Sequence, residues 1–284
     1  MSITRIEHVS DWIKYIEKIN AHFLRNQHFC FRGESKLEYQ LLPSLYRKTK
    51  GLAGEKLYLS RNSETKIIRE FMTEAAGFVN SISVDDTFTW IEYAQHFGVP
   101  TRLMDWTSNP LIALYFACSS NQSMDGRVYI LNSLGYRLLS DLDNRNGLEG
   151  KIIKEEAIKM ICEGEKAFPY PSLFKPYYLD RRMLMQSSQF MVWGYKDLTL
   201  DSIIKELEEN DKIREITKYM AIDGVELQKV EDIEILSEVQ IEGKNKATIQ
   251  RELDRIGINQ ATVFPGLDGI GRSIEWRNNV RNMR

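Results

Sequence analysis

Between His96 and Pro110 the chain sets a histidine, an arginine, an aspartate, a tryptophan and several small polar residues side by side: His96-Phe97-Gly98-Val99-Pro100-Thr101-Arg102-Leu103-Met104-Asp105-Trp106-Thr107-Ser108-Asn109-Pro110. An imidazole can act as a general base, and a guanidinium holds phosphate or carboxylate groups. His96 and Asp105 are therefore candidate catalytic residues, and Arg102, Trp106, Thr107, Ser108 and Asn109 candidate ligand contacts. Arg102 and Asp105 are also close enough in sequence to pair with each other. Thr107, Ser108 and Asn109 either cap the helix that Pro110 opens or line a pocket there, since free amides at a helix start attract anions. The remaining histidines are His8, His22 and His28, so no multi-histidine metal site is expected.

A second cluster is Phe31-Arg32-Gly33-Glu34-Ser35. An arginine between an aromatic residue and a glycine on a strand is half-forced inward, where its charge needs an anion. Arg32 either holds a ligand phosphate or carboxylate, or pairs with an internal acid such as Asp105 or Glu34. A third cluster, Arg181-Arg182-Met183-Leu184-Met185-Gln186-Ser187-Ser188-Gln189-Phe190, brings arginines and glutamines to the start of an aromatic strand. Gln186 and Phe190 join the candidates from it. The chain carries no phosphate-binding glycine fingerprint, Cys-x-x-Cys pair, nucleophile elbow or zinc-protease motif. That argues against the common mononucleotide and metal enzymes.

Several elements must position these residues. Val9, Trp12, Ile13, Ile16, Ile19 and Phe23 recur at helical spacing and predict a helix over about 10–25. A short strand is expected at Cys30–Gly33, helices at Glu64–Asn80 and Phe88–Phe97, and an irregular, Pro-bounded loop at His96–Asn109. A buried helix should start at Pro110, followed by a strand at Arg127–Leu131 and a helix at Lys151–Cys162. Phe168–Tyr178, rich in proline and aromatics, reads as a packed loop. A strand at Gln189–Tyr195, a helix at Ser202–Glu209, a strand at Glu238–Ile241, a helix at Asn245–Ile256 and a strand at Thr262–Phe264 complete the chain. With no repeat and no linker, this is one α+β domain over 1–284, a mixed central sheet with flanking helices and a C-terminal helix-strand-turn segment over about 239–284.

At 284 residues, 43% hydrophobic and 27% charged, the chain can bury a full core. A net charge of -2 gives no support to nucleic-acid binding through bulk charge, although a local basic patch would escape that count. The arginines at 272, 277, 281 and 284 read as a solvated tail. Cys30, Cys118 and Cys162 suit free thiols in a reducing cytoplasm. Met1 to Asn20 has no uninterrupted apolar run, so neither a signal peptide nor a membrane partner is expected.

Taken together, these clusters resemble the FRG domain family, named for its phenylalanine-arginine-glycine motif. The resemblance rests on Phe31–Ser35, on Leu42-Pro43-Ser44-Leu45-Tyr46-Arg47 and above all on His96–Ala117. Arg127–Leu131, Gln186–Phe190 and Val263–Gly269 follow in order over roughly the whole chain. Such domains occur in bacteria and phages, and the resemblance implies an effector or toxin-like role in defence. A second similarity is to the arginine-serine-glutamate class of ADP-ribosyltransferases. There Arg32 would anchor NAD, Thr107 and Ser108 would match the hydroxyl motif, and Ala113 and Phe116 the following helix. Gln186-Ser187-Ser188-Gln189 stands where that class has a glutamate, and glutamine cannot stabilise a developing positive charge as a carboxylate does. Glu34, on the same strand face as Arg32, is the alternative carboxylate.

Three functions follow as expectations. The first is recognition of a nucleotide-type small molecule, with NAD as the candidate cofactor and ADP-ribosyltransferase-like chemistry as the enzymatic form. Arg32 would then hold the phosphates and Arg102, Asp105, Thr107 and Asn109 would line the pocket, with Glu34 and Ser35 as further ligand contacts. The second is a phosphodiester hydrolase or nuclease worked by His96 and Asp105. The third is a non-catalytic sensor whose ligand is a partner protein, with Arg32 serving only architecture.

Overall fold

The computed structural model describes residues 5–20, 29–47, 49–50, 56–57, 61–79, 82–83, 85–143, 150–178, 180–209, 221–222, 225–226 and 234–282. Helix α1 spans Val9–Asn20, strand β1 Phe29–Glu34, α2 Arg61–Ala75 and α3 Thr87–His96. Then come β2 (Leu103–Thr107), α4 (Pro110–Cys118), β3 (Gly126–Asn132), α5 (Ser133–Asp143) and α6 (Gly150–Ile158). The second half holds β4 (Ser172–Phe174), α7 (Arg181–Met185), β5 (Ser188–Val192), α8 (Leu200–Glu208), β6 (Leu236–Ile241), α9 (Gly243–Arg255), α10 (Gln260–Val263) and α11 (Leu267–Asn282). The class is α+β. The end of the predicted first helix, 21–25, lies outside the described residues.

The six numbered strands form one sheet in the order β6-β3-β1-β2-β5-β4. Every pairing in it is antiparallel, with Arg32 opposite Tyr129 and Asp105 opposite Phe190. This corrects the expected mixed sheet, because periodicity along one strand carries no information on the direction of its neighbour.

Side chains alternate across the strands, so each face builds its own core. One face carries Cys30, Met104, Trp106, Leu131 and Met191, packed with α5 and α8 residues such as Tyr136 and Ile203. The other divides into two halves. Phe29, Phe31, Val128 and Ile130 lie under α1, α4 and α9, while Leu103, Phe174, Phe190 and Val192 lie under α2, α3 and α6. Buried Lys246 ties α9 to the end of β1: its Nζ donates to the carbonyls of Ser35 at 2.8 Å and Asn121 at 3.2 Å.

Three further readings are corrected. The loop expected at His96–Asn109 contains a central strand, β2, because only Asp105 of its five residues is exposed and burial on both faces leaves no alternation to read. Thr262–Phe264 belongs to helix α10 and its end, not to a strand, since Asn259 and Thr262 form a reciprocal capping box there. The arginines at 272 and 277 are exposed, as a solvated surface requires, and lie on helix α11, where Arg277 donates to Ser273 Oγ at 3.0 Å. β4 lies inside the segment taken as a packed loop, between Pro171 and Pro176.

Helices α3 and α6 are joined by Lys154, whose Nζ lies 3.1 Å from Glu92 Oε1 and 5.0 Å from the centre of the Phe88 ring. Glu92 is fully buried and its Oε2 has no hydrogen-bond partner among the described residues. Burial pushes its carboxyl from the usual 4.5 up to about 7, against the pull of Lys154. The folded state therefore holds this proton more tightly than the unfolded chain. The stabilisation is complete below about pH 4.5 and is lost as pH rises through 7, a loss of about 3 kcal/mol. Urea melts at pH 5 and pH 8 should show the wild type losing stability at the higher pH and Glu92→Gln losing much less. Equal slopes for the two proteins would remove Glu92 as the cause.

Candidate functional site

Strand β1 pairs with β3 over six residue pairs, but its ladder with β2 is recorded at Phe31 opposite Thr107 alone. Beyond that pair a cleft of about 460 Å³ opens between the two strands. Residues from both sheet faces line it: Arg32 and Met104 from one, Leu103 and Asp105 from the other. Pro43, Ser44 and Arg47 close one side, and Gln95, His96 and Arg182 the other. The Pro43–Arg47 segment is held by the amide of Leu45 donating to the Thr101 carbonyl at 3.2 Å.

Arg32 bridges the fork. Its Nε donates to Glu34 Oε1 at 2.7 Å and its Nη1 to the backbone carbonyl of Asp105 at 2.6 Å, a side-chain bond across the diverging strands. Glu34 takes a second contact from Nη2 at 2.7 Å. Three of the five guanidinium hydrogens are thus engaged. Of the two internal partners considered for Arg32, the carboxylate is that of Glu34, and Asp105 contributes its carbonyl.

The Asp105 carboxylate accepts from Gln95 Nε2 at 2.6 Å. His96 keeps its ring almost wholly covered, with Nε2 3.3 Å from Asp180 Oδ1. Burial, then the charge of Arg182, pushes the imidazole below its usual 6.5, so it is neutral at pH 7. Arg182 lies with its guanidinium carbon 4.4 Å from the centre of the Phe264 ring, and its buried Nε has no hydrogen-bond partner among the described residues. Arg47 donates from Nε to the Leu42 carbonyl at 2.8 Å. Neither Arg47 nor Arg182 has a carboxylate within ion-pair distance among the described residues. Burial pulls both guanidiniums below their usual range, and the charge of Arg32 adds to this at Arg47.

Residues 27–126 match the family model of the FRG domain. The chain carries an FRG domain. No curated protein and no solved structure matches the chain. The matched span of the FRG domain holds β1, α3, β2 and α4, and with them every cleft residue named above except Arg182. Strands β3 and β6 on one side and β5 and β4 on the other lie beyond the span, Gly126 excepted, and complete the sheet. The segments Gln186–Phe190 and Val263–Gly269 also lie outside the matched residues.

Other candidates fall away from the cleft. Arg102 is buried against Glu64, which rules out its pairing with Asp105. Gln186 does not line the cleft, and its Nε2 donates to the Val263 carbonyl at 3.1 Å. Trp106 is in the core, and Phe190 is buried with its ring 5.8 Å from that of Phe174. Ser35 accepts from Asn121 Nδ2 at 2.8 Å. Thr107 donates to the Gln186 carbonyl at 2.6 Å, Ser108 lies against the Ser187 carbonyl, and Asn109 caps α4 by accepting from the Leu111 amide at 3.0 Å. The Cys30 and Cys118 thiols are free and buried, and burial pushes each up to about 12, which makes them poor nucleophiles. Among the described residues no helix is long and apolar enough to cross a membrane.

Sequence reasoning missed Arg47, Arg182 and Gln95 as cleft residues. Arg47 closes the Leu42–Arg47 motif and Arg182 belongs to an arginine pair, so both carried a signal as residue types. What singles them out is that no carboxylate lies within ion-pair distance of either among the described residues, which no local pattern records.

Proposed function

We propose that the cleft of the FRG domain binds a phosphorylated small molecule of nucleotide type, with NAD and ADP-ribose as candidates. The observation that supports this reading is the pair of partly buried guanidiniums, Arg47 and Arg182, facing one cleft with no carboxylate within ion-pair distance among the described residues. Desolvated cations are costly unless an anion joins them, and a phosphate answers both. The effector or toxin-like role in defence rests on the family resemblance. ADP-ribosyl transfer is not part of the proposal, because Gln186 is turned onto a backbone carbonyl away from Arg32.

Titration calorimetry with NAD, ADP-ribose and pyrophosphate tests the reading. Binding by at least one of them is expected, weakened roughly tenfold or more by Arg47→Ala and by Arg182→Ala. Absence of binding by all three, or binding indifferent to both substitutions, overturns it.

A hydrolytic reading has one observation in its favour. His96 is neutral, covered and inside the cleft, as a general base would be. Cleavage of RNA or DNA that disappears in His96→Ala, with Arg47→Ala affecting affinity alone, would place it ahead.

A further inference from the structure

Asp105 is the one exposed residue of β2, and it puts a negative charge into a cleft that is also lined by the cations Arg32, Arg47 and Arg182. For a plain anion that carboxylate is a handicap. Its orientation is nevertheless specified through a chain of hydrogen bonds with one permitted direction. The Leu103 amide, which can only donate, gives its hydrogen to Thr101 Oγ1 at 3.0 Å. The Thr101 hydroxyl then gives its own hydrogen to Gln95 Oε1 at 2.6 Å. This turns Gln95 so that Nε2 meets Asp105 Oδ2 at 2.6 Å. The opposite amide rotamer would set Gln95 Oε1 against the Asp105 carboxylate, two acceptors facing each other, so the direction of the chain is fixed from the Asp105 end. Oδ1 of Asp105 has no hydrogen-bond partner among the described residues, and the residue lines the cleft.

We infer that Asp105 accepts a hydrogen bond from a sugar hydroxyl of the ligand, with Gln95 as the positioning residue that aims it. This rests on the reading of the cleft as a phosphate site. The ligand class is then a phosphorylated sugar or nucleotide whose anionic part meets Arg47 and Arg182 and whose hydroxyl-bearing part meets Asp105. The carboxylate selects such ligands twice, by attracting a hydroxyl donor and by repelling bare phosphates.

Pyrophosphate and ADP-ribose share a diphosphate and differ in the sugars, so the two probes separate these roles. Calorimetry at fixed ionic strength should find ADP-ribose bound more tightly than pyrophosphate by the wild type. Asp105→Asn should weaken ADP-ribose roughly ten- to a hundredfold and tighten pyrophosphate, because the repulsion is gone. Gln95→Met should weaken ADP-ribose by less and leave pyrophosphate within about twofold of wild type. If Asp105→Asn fails to fold, Gln95→Met carries the test alone.

Tightening of both probes by Asp105→Asn would mean that charge alone matters, and weakening of both would mean a scaffold role. Either result overturns the inference, as does equal affinity of the wild type for the two probes. Failure of the wild type to bind either probe or NAD overturns the phosphate reading itself. That outcome is distinct from pyrophosphate binding with no preference for ADP-ribose.

Discussion

Replacing Gly33 with alanine is expected to abolish the folded state of the FRG domain or to lower its stability by more than about 3 kcal/mol. A Cβ at this position would lie 1.9 Å from the Ala113 carbonyl oxygen, 2.7 Å from the Ala117 nitrogen and 2.9 Å from the Ala113 carbonyl carbon. These are backbone atoms of α4, which cannot move aside as the end of a flexible side chain can. Helix α4 would have to lift off β1, opening the core at Phe31, Ile112 and Ala117 and shifting Asn109, which caps the helix next to β2. Gly98 gives the contrast: an added Cβ there meets nothing within 4 Å, and only its φ of +81° disfavours alanine, worth about 1 kcal/mol. Thermal melts of the two variants should therefore differ widely. A Gly33→Ala protein that melts like wild type would show that α4 does not press on β1 as described.

Strand alternation explains why the motif reads as it does. Phe31 faces the core under α4, Arg32 turns to the other face and reaches across the fork, Gly33 lies beneath the helix, and Glu34 returns to Arg32 as its counterion. One tripeptide and its acidic neighbour thus set the depth of the helix and the floor of the cleft together.

The amphipathic helices could be read from sequence because their period reports a single buried face, as in α1 with Val9, Trp12 and Ile16. The start of α4 was equally plain, since Pro110 can stand only near it, and of the capping candidates the structure uses Asn109. Strand β2 was hidden by its burial on both faces, and strand order depends on pairings between distant segments that local pattern does not encode. The same limit governed the site. Arg32, His96 and Asp105 were recognisable as residue types and do meet in one cleft. Arg102 looked equally suitable, but its fate is decided by Glu64 on another helix. Gln186 was placed by analogy with an enzyme class, and the turn before β5 sends it toward α10 instead.

That buried pair supplies the other large effect. Arg102 is 2% exposed and Glu64 0%. Nε of the arginine lies 3.0 Å and Nη2 2.6 Å from Glu64 Oε2, and the Arg102 amide also donates to Glu64 Oε1 at 3.3 Å. Glu64→Ala would leave a buried guanidinium that cannot shed its proton. The expected loss is about 3–5 kcal/mol, enough to unfold many domains. Arg102 also opens onto β2, so the Thr101-Gln95-Asp105 chain should lose its geometry and ADP-ribose binding should fail where some folded protein survives. Replacing both partners, Glu64→Leu with Arg102→Met, removes the two desolvated charges together and should recover most of the stability. The recovery separates a pair kept for its net energy from one kept to fix where β2 begins. If the double variant is stable but binds ADP-ribose poorly, Arg102 acts on the cleft through the position of the strand. If Glu64→Ala alone costs less than about 1 kcal/mol, water reaches the guanidinium and the sealed pair is the wrong description.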